Sequence, residues 1–480
     1  MVIPLEPALF HQLRQENRFP EKEKIQIHVT PFSSFSHKKN DTNRLFLFDQ
    51  KTSLEIGERV DVDHNYLKFD EISADDLTGQ ISLAPDITTY GLRIDCLINL
   101  SKFLKRASLR LTVPMQHVEH DPHFQINRAT NSSVGEKGIA DYFDGQPMVQ
   151  ASEELDDNET SLRNLQEPLQ FGKIHGKHCK DGVADLHIRL SYDPLHNQTW
   201  IVRLNGFLTI STTSGARSQW LFEPRLGSGG HWGLGAGIQA TKTLWQDTEE
   251  APSRTLEVLM DGRYHYFFGN HERRILGLKN NKGSQLNWSH YLLLGQNQTP
   301  RVLPAANVLA EDVRVKPGSQ FEAMIMLAYR HEGSVFSIGF DSWFRQREMI
   351  RRRDTWRENT YGFPGIEYAD DIFNFSSSDK ATRDSSLFSL KNSNLTNTIA
   401  TLRSVGPGAE QQGFVSASQL SMRPATSPQA FSNTFFGSYE HIWECQKRTF
   451  LLGLGFAHEL PFDNAALQTT YLWVRGGLIF

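Results

Sequence analysis

Charged and imidazole side chains recur at every second position of several apolar segments in this chain of 480 residues. Between residues 255 and 268, for example, Glu257, Asp261 and Arg263 share one face of an extended segment, and Tyr264 lies on the other. Rings of such charges inside a closed sheet select ions and orient polar solutes, unless they only pair across strands and fill the interior. The candidate functional residues on these faces are Arg93, Asp95, Arg110, Asp185, His187, Arg189, Arg203, Glu257, Asp261, Arg263, His265, Glu322, Arg330, Asp341, Arg345, Glu459 and Arg475.

A second group of candidate ligands is the run from His117 to His123, HVEHDPH. Histidine and carboxylate ligands at this density are able to bind zinc or copper. Pro and Asp also form turns at strand ends, and we favour that interpretation, so no metal or cofactor is predicted.

A basic run lies between residues 345 and 357 and contains six arginines. Guanidinium groups bind phosphates well, so lipopolysaccharide phosphates or another polyanion are possible ligands. Because Glu348, Asp354 and Glu358 lie in the same stretch, an ordinary solvated loop is the more common meaning of such a run.

The segment Gly227–Gly230 lacks the lysine and following helix of a phosphate loop and is interpreted as a hinge. No motif of a serine hydrolase or zinc protease occurs, so an enzyme is not predicted.

The elements that carry these residues are long segments with alternating polarity. They predict twelve strands, and most of these have about 11–15 residues, whereas strands of soluble proteins usually have about 5–6. The predicted strands are 24–33, 86–100, 105–118, 182–193, 199–212, 231–245, 254–268, 320–332, 335–347, 434–445, 448–460 and 470–480.

The connections between these strands alternate in length. The odd-numbered ones have about 52, 63, 18, 51, 86 and 9 residues, and the even-numbered ones about 4, 5, 8, 2 and 2. This alternation is typical of an up-and-down barrel with long loops at one end and tight turns at the other. The longest connections, 119–181 and 348–433, are polar, and we expect them to be exposed and partly mobile.

Composition excludes several classes of protein. The net charge is 50 − 55 = −5, which gives no reason to expect a nucleic-acid partner. No apolar run approaches the ~18 residues of a membrane-spanning helix, although a membrane β-barrel needs none. Three scattered cysteines give no disulfide scaffold.

The first ten residues lack the basic region of a signal peptide. We expect residues 1–23 to form an N-terminal extension or short helix ahead of the barrel at 24–480.

The last strand ends on an aromatic residue, with Leu472, Val474, Leu478 and Phe480 on one face. This arrangement resembles the C-terminal insertion signal of bacterial outer-membrane barrels, which are assembled by the barrel-assembly machinery. Leu478 stands where that signal prefers an aromatic residue.

Several stretches together resemble a family of uncharacterised, porin-like outer-membrane barrels of small host-associated bacteria. They are Ile25–Phe35, Leu109–Glu119, Gly172–Asp193, Phe222–Gly237, Ser289–Leu294, Gly339–Trp343 and the final strand. The resemblance implies an outer-membrane β-barrel and no particular substrate.

The sequence therefore predicts an all-β fold, a single antiparallel up-and-down transmembrane β-barrel of about 12 strands (12–14). The expected location is the bacterial outer membrane, with lipid, lipopolysaccharide and small polar solutes or ions as partners. The expected function is a porin-like channel for passive passage. Three alternatives stay open: a closed barrel whose loops bind a surface partner, an outer-membrane enzyme, and a soluble β-sandwich.

Overall fold

The computed structural model describes residues 25–37, 53–57, 62–63, 79–127, 139–146, 167–197, 199–247, 254–279, 283, 285–286, 288–296, 302–362, 414–445, 448–464 and 467–479. The predicted N-terminal extension and Phe480 lie outside these ranges. None of the helices in the described part is long and apolar enough to cross a membrane.

Twelve strands form the main sheet, and we number them in chain order. They are β1 (Ile25–His37), β2 (Asp86–Asn99), β3 (Ala107–Asp121), β4 (Leu186–His196), β5 (Trp200–Ile210), β6 (Gly233–Gln246), β7 (Thr255–Phe267), β8 (Gly318–His331), β9 (Ser334–Arg345), β10 (Ala430–Cys445), β11 (Arg448–Asn464) and β12 (Gln468–Ile479). All twelve predicted strands are present, and their ends differ from prediction by a few residues.

Each of these strands pairs antiparallel with its neighbours in the chain, and the sheet closes on itself. The last strand, β12, pairs with β1 from Gln26 opposite Ile479 to His37 opposite Gln468. The predicted single antiparallel barrel of twelve strands is therefore confirmed. Where β4 ends its pairing with β3 at Thr112, a short strand, His178–Val183, continues the pairing along β3 from Met115 to His120.

The two faces of the barrel wall differ in polarity. On the outward face of the strands, large apolar side chains are exposed, among them Leu234, Ile338, Leu454, Leu472 and Val474. The inward face carries the buried polar and charged side chains. An apolar exterior over this area is what lipid requires and what a water-soluble protein avoids.

The long connections build a second folded unit, which we call the cap. Its apolar core includes Leu54 and Leu83 from the first long connection, Tyr142 from the second, Phe222 from the third, Leu276, Leu293 and Val315 from the fourth, and Trp356, Val415 and Ala425 from the fifth. Because five connections that leave the rim of the barrel converge on one core, the cap spans that end of the barrel. The expectation that connections 119–181 and 348–433 are exposed is wrong for the apolar residues of their described parts, such as Tyr142 and Val415, which are buried in this core.

Short elements make up the cap. Its helices are 139–144, Ser289–Tyr291, Ala305–Leu309 and Ala417–Gln419. In its first small sheet Ser53–Gly57 pairs with Val62–Asp63 and Gly79–Ser82, and Gly79–Ser82 pairs with Gln125–Asn127. In the second, Ala310–Lys316 is the central strand between Asn270–Ile275 and Met349–Arg352. In the other two, Gly277–Lys279 pairs with Gln285–Leu286 and Leu420–Ser421, and Leu293–Gln296 pairs with Val302–Pro304 and Tyr361–Gly362.

Candidate functional site: the barrel interior and its capped mouth

The inward face of strands β2 to β7 is polar along most of its length. Ion pairs join neighbouring groups along this wall. Arg93 Nε donates to Asp95 Oδ2 at 2.7 Å within β2, and Thr112 of β3 donates to the other oxygen at 2.6 Å. Arg263 and Asp261 form a similar pair within β7 at 2.9 Å. Residues two apart on a strand share a face, which is why one strand supplies both partners.

Other interior pairs join different strands. Arg203 of β5 makes a two-pronged bond to Asp193 of β4, at 2.5 and 2.7 Å. Arg475 of β12 donates to Glu440 of β10 at 2.9 Å. These ion pairs therefore lie along the wall of the barrel.

Four guanidinium groups converge on the polar side of the interior, and we call them the arginine cluster. They belong to Arg110, Arg189, Arg203 and Arg263, whose charges act on one another. Arg110 and Arg189 are direct partners in the register of β3 and β4. Like charges opposite each other destabilise a sheet, so this pair favours an anion nearby. The Nε and Nη1 of Arg189 are buried and have no hydrogen-bond partner within the described part of the chain.

The opposite side of the interior, formed by strands β8 to β12 and β1, carries an apolar patch between polar residues such as Glu322 and Glu459. Met324, Met326, Phe436 and Trp473 belong to one buried cluster there. Aromatic rings on this wall lie opposite glycines on the neighbouring strand. The register pairs Phe436 with Gly339 and Trp473 with Gly455, and a Cβ at either glycine would collide with the ring. The glycines thus let the rings lie flat against the wall.

At the mouth, cap and barrel meet in a buried charge network centred on Glu272. Its carboxylate contacts Arg225 at 2.7 Å, Arg274 at 2.7 Å and His231 at 2.8 Å. Burial alone raises the pKa of Glu272, but the charges of Arg225 and Arg274 and the bond from His231 hold that pKa well below its ordinary value. Arg274 also lies 3.6 Å from Glu348, which binds the backbone of Ser427. The network therefore fastens three long connections together.

A second buried carboxylate, Asp185, lies just before β4, and the loop Gly227–Gly230 packs around it. The backbone N–H of Ser228 donates to Asp185 at 2.5 Å. A Cβ at Gly227 would lie 2.7 Å from the carboxyl carbon, and Gly227 has φ = 52°, so glycine suits this position on both counts. Burial raises the pKa of Asp185 to about 6, against the opposing hydrogen bonds from Ser228. The predicted hinge is thus a loop wrapped around a carboxylate.

The predicted site residues fall into three places. Fourteen lie inward on barrel strands and are buried or nearly so: Arg93, Asp95, Arg110, His187, Arg189, Arg203, Glu257, Asp261, Arg263, His265, Glu322, Asp341, Glu459 and Arg475. Arg330 is 29% exposed and pairs with Glu257 at 3.2 Å. Asp185 and Arg345 lie at the mouth, where Arg345 donates to the carbonyl of Pro428.

Sequence reasoning missed two inward acids and the mouth network. Asp193 continues the alternation of residues 185 to 191, so that pattern was sufficient to find it. Glu440 lies on β10, whose mixed polarity hid its inward face. Glu272 and Arg225 belong to connections, where no periodicity marks a buried position.

Residues 117–121 of the histidine run belong to β3, and Pro122 and His123 lie just beyond its end. The side chains of the run therefore alternate between faces and find separate acceptors. His117 contacts Asp181 at 2.5 Å, while His120 bonds to the carbonyl of Phe222 and His123 to Asp86. Among the residues that the structure describes, no group of His, Cys, Asp or Glu is placed to hold a metal ion.

Comparisons with known proteins return solved β-barrels of bacterial outer membranes. An outer-membrane channel from Pseudomonas putida F1 aligns with 97% of this chain and 98% of its own, at 10% identity and a TM-score of 0.39. A FadL homologue from Pseudomonas aeruginosa aligns with 96% of this chain and 90% of its own, at 6% identity and a TM-score of 0.29. The transport unit of the autotransporter AIDA-I from Escherichia coli covers 98% and 95%, at 6% identity and a TM-score of 0.26.

Neither a protein-family profile nor a curated protein matches the chain. At these TM-scores the solved structures carry no functional argument, and the fold assignment depends on the strand pairing of the chain itself. That the chain belongs to an uncharacterised family of outer-membrane barrels from host-associated bacteria stays a prediction.

Proposed function

We propose that the protein is an outer-membrane channel for passive passage of small polar solutes or ions, and that the structure describes its closed form. The observation that carries this proposal is the charged inward face of strands β2 to β7, set against an apolar exterior. Burying charge is costly, and a barrel that served only as a scaffold would be at least as stable with an apolar interior. A polar interior is what a path for hydrated solutes needs.

The closed form follows from burial. Arg93, Arg110 and Arg475 are almost completely buried in the described state, and the cap covers one mouth. Conduction therefore requires the cap to move. Asp193 and Asp261 bond to Arg203 and Arg263 of the arginine cluster, whereas Arg110 and Arg189 lie directly opposite each other. We propose that this pair of like charges gives the path a preference for anions.

The test is conductance of the refolded full chain in planar lipid bilayers. We expect discrete openings and, in a salt gradient, a reversal potential that indicates anion preference. The variant Arg189→Gln removes one cluster charge that has no ion pair in the described part of the chain, so openings should persist with weaker anion preference. The exposed residue Lys105, in the turn between β2 and β3, provides the control variant Lys105→Gln.

The second candidate function is a closed barrel that presents the cap to a surface partner. The folded cap favours it, because a plain channel needs no apolar core above its mouth. Absence of any current, from protein whose folding is shown by a heat-dependent shift on a denaturing gel, would decide for the scaffold. A protein soluble without detergent would contradict both membrane functions.

A further inference from the structure

The outward face of one cap sheet carries a row of cations. The sheet consists of Asn270–Ile275, Ala310–Lys316 and Met349–Arg352. Its inner face includes Glu272, Val313 and Val315, which are buried at the mouth network and in the cap core. Its outer face carries Arg273, Arg314, Lys316 and Arg351, with His271 and a single carboxylate, Asp312.

This sheet continues the barrel wall. Asn270–Ile275 follows β7, Ala310–Lys316 precedes β8, and Met349–Arg352 follows β9, so its strand order repeats that of β7, β8 and β9. The outer face is therefore the upward extension of the surface that faces lipid. Below it, Tyr266, Phe268 and Phe321 are exposed, with 37%, 45% and 47% of their surface accessible. Aromatic residues mark the border of the hydrocarbon layer in outer-membrane barrels.

The height of the cation row matches the headgroup layer. His271 is three residues beyond Phe268, so the two lie at most about 10 Å apart along the strand direction. Strands tilted by ~40° rise about 7–8 Å over that length, and the headgroup layer on each side of a bilayer is roughly 5–8 Å thick. Arg314 is the register partner of His271 and of Arg351, so all three lie abreast at this height.

The charges of this row are not balanced by carboxylates within the part of the chain that the structure describes. Arg273 pairs with Asp312 at 3.1 Å. Arg314 and Arg351 are exposed, oppose each other directly, and form no ion pair with any residue that the structure describes. Two like charges in register destabilise a sheet unless an anion lies between them. A phosphate accepts parallel hydrogen bonds from guanidinium groups and fits this position well.

We propose that Arg314 and Arg351, supported by Lys316, bind a phosphate group of lipid A in the outer leaflet. The site requires that the barrel lies in an outer membrane, but it does not require conduction. A closed scaffold with this site would still bind lipid A, and a channel without it would still conduct.

The test is native mass spectrometry of the folded full chain in detergent, titrated with lipid A that carries two phosphates. We expect saturable binding of one or more lipid molecules to the wild type. The double variant Arg314→Gln/Arg351→Gln should bind roughly 10- to 30-fold more weakly, since each basic residue near an anionic lipid surface contributes ~1 kcal/mol. Arg314→Lys/Arg351→Lys keeps both charges but loses the parallel hydrogen bonds, so it should bind lipid A more tightly than the glutamine variant and less tightly than the wild type.

Two controls make the result decisive. Lys102→Gln/Lys105→Gln removes the same charge from the turn at the other end of the barrel and should bind lipid A like the wild type. Inorganic phosphate at millimolar concentration should not displace the lipid. Equal losses in both glutamine variants, no loss in either, or full displacement by free phosphate would overturn the proposal. A heat-dependent gel shift shows that each variant is folded.

Discussion

The barrel interior buries charged side chains such as Arg93, Asp95 and Arg475, whereas the cap buries an apolar core around Trp288, Tyr291 and Leu293. The two regions use different sources of stability. In the barrel, a closed ring of backbone hydrogen bonds and an apolar exterior hold the strands, so the interior is free to be polar. The cap has no exterior of this kind and needs an apolar core of its own. The difference indicates that the cap can loosen while the barrel remains intact.

The largest expected effect separates the two regions by removing a core residue of the cap. Trp288 is 2% exposed and lies in the apolar core beside Tyr291. Trp288→Ala should destabilise the cap by about 3–5 kcal/mol, because it removes a large buried ring and leaves a cavity. Hydrogen exchange of residues 288–294 should accelerate, while the heat-dependent gel shift of the barrel persists. Phe103 is 91% exposed, so Phe103→Ala is the matched control without effect. Loss of the gel shift would show that cap and barrel unfold together.

This contrast also explains what the sequence was able to predict. In strands such as β7, one face meets lipid and the other meets charge, so polarity alternates and reveals both the strand and its inward residues. The cap escaped prediction because its core is assembled from five separate connections. Leu292, Leu293 and Leu294 form an apolar run without periodicity, and they belong to the same core as Tyr142 and Val415, which are distant in the chain. No local pattern encodes such contacts.

The second prediction concerns the charge network that joins the regions. Glu272→Gln leaves Arg225 and Arg274 buried without their main counter-charge, and breaking such a pair costs about 3 kcal/mol or more. The pKa of Glu272 is lowered in the folded state, so its stabilising charge is fully present above the ordinary glutamate pKa. This contribution is lost only as the pH falls through the lowered pKa. Cap hydrogen exchange should therefore accelerate in strong acid in the wild type. In the variant Glu272→Gln this exchange should already be fast at pH 7. Glu332 is exposed, so the variant Glu332→Gln provides the control.

Asp185 should show the opposite pH dependence. Burial raises the pKa of Asp185 to about 6, so the folded state binds its proton more tightly than the unfolded state does. Stability at this loop therefore falls as pH rises from about 4 through 6. Asp185→Asn keeps an oxygen for the N–H of Ser228 and avoids that loss, so it should be more stable than the wild type by about 2–3 kcal/mol at pH 8. At pH 4 the two proteins should be alike. An Asn variant that is less stable at pH 8 would show that the carboxylate charge holds the loop.

The smallest expected effect lies inside the barrel, where Gly339 faces the ring of Phe436. Gly339→Ala places a methyl group where the ring now lies, so the ring must turn toward the axis. We expect a loss of about 1–2 kcal/mol, the usual effect of overpacking, and a smaller conductance per opening. Gly262 points outward on β7, and a Cβ there meets only Ile238 at 4.0 Å, so Gly262→Ala should leave conductance unchanged. If both variants conduct like the wild type, the wall around Phe436 does not border the path, and the solute must pass along the side of the arginine cluster alone.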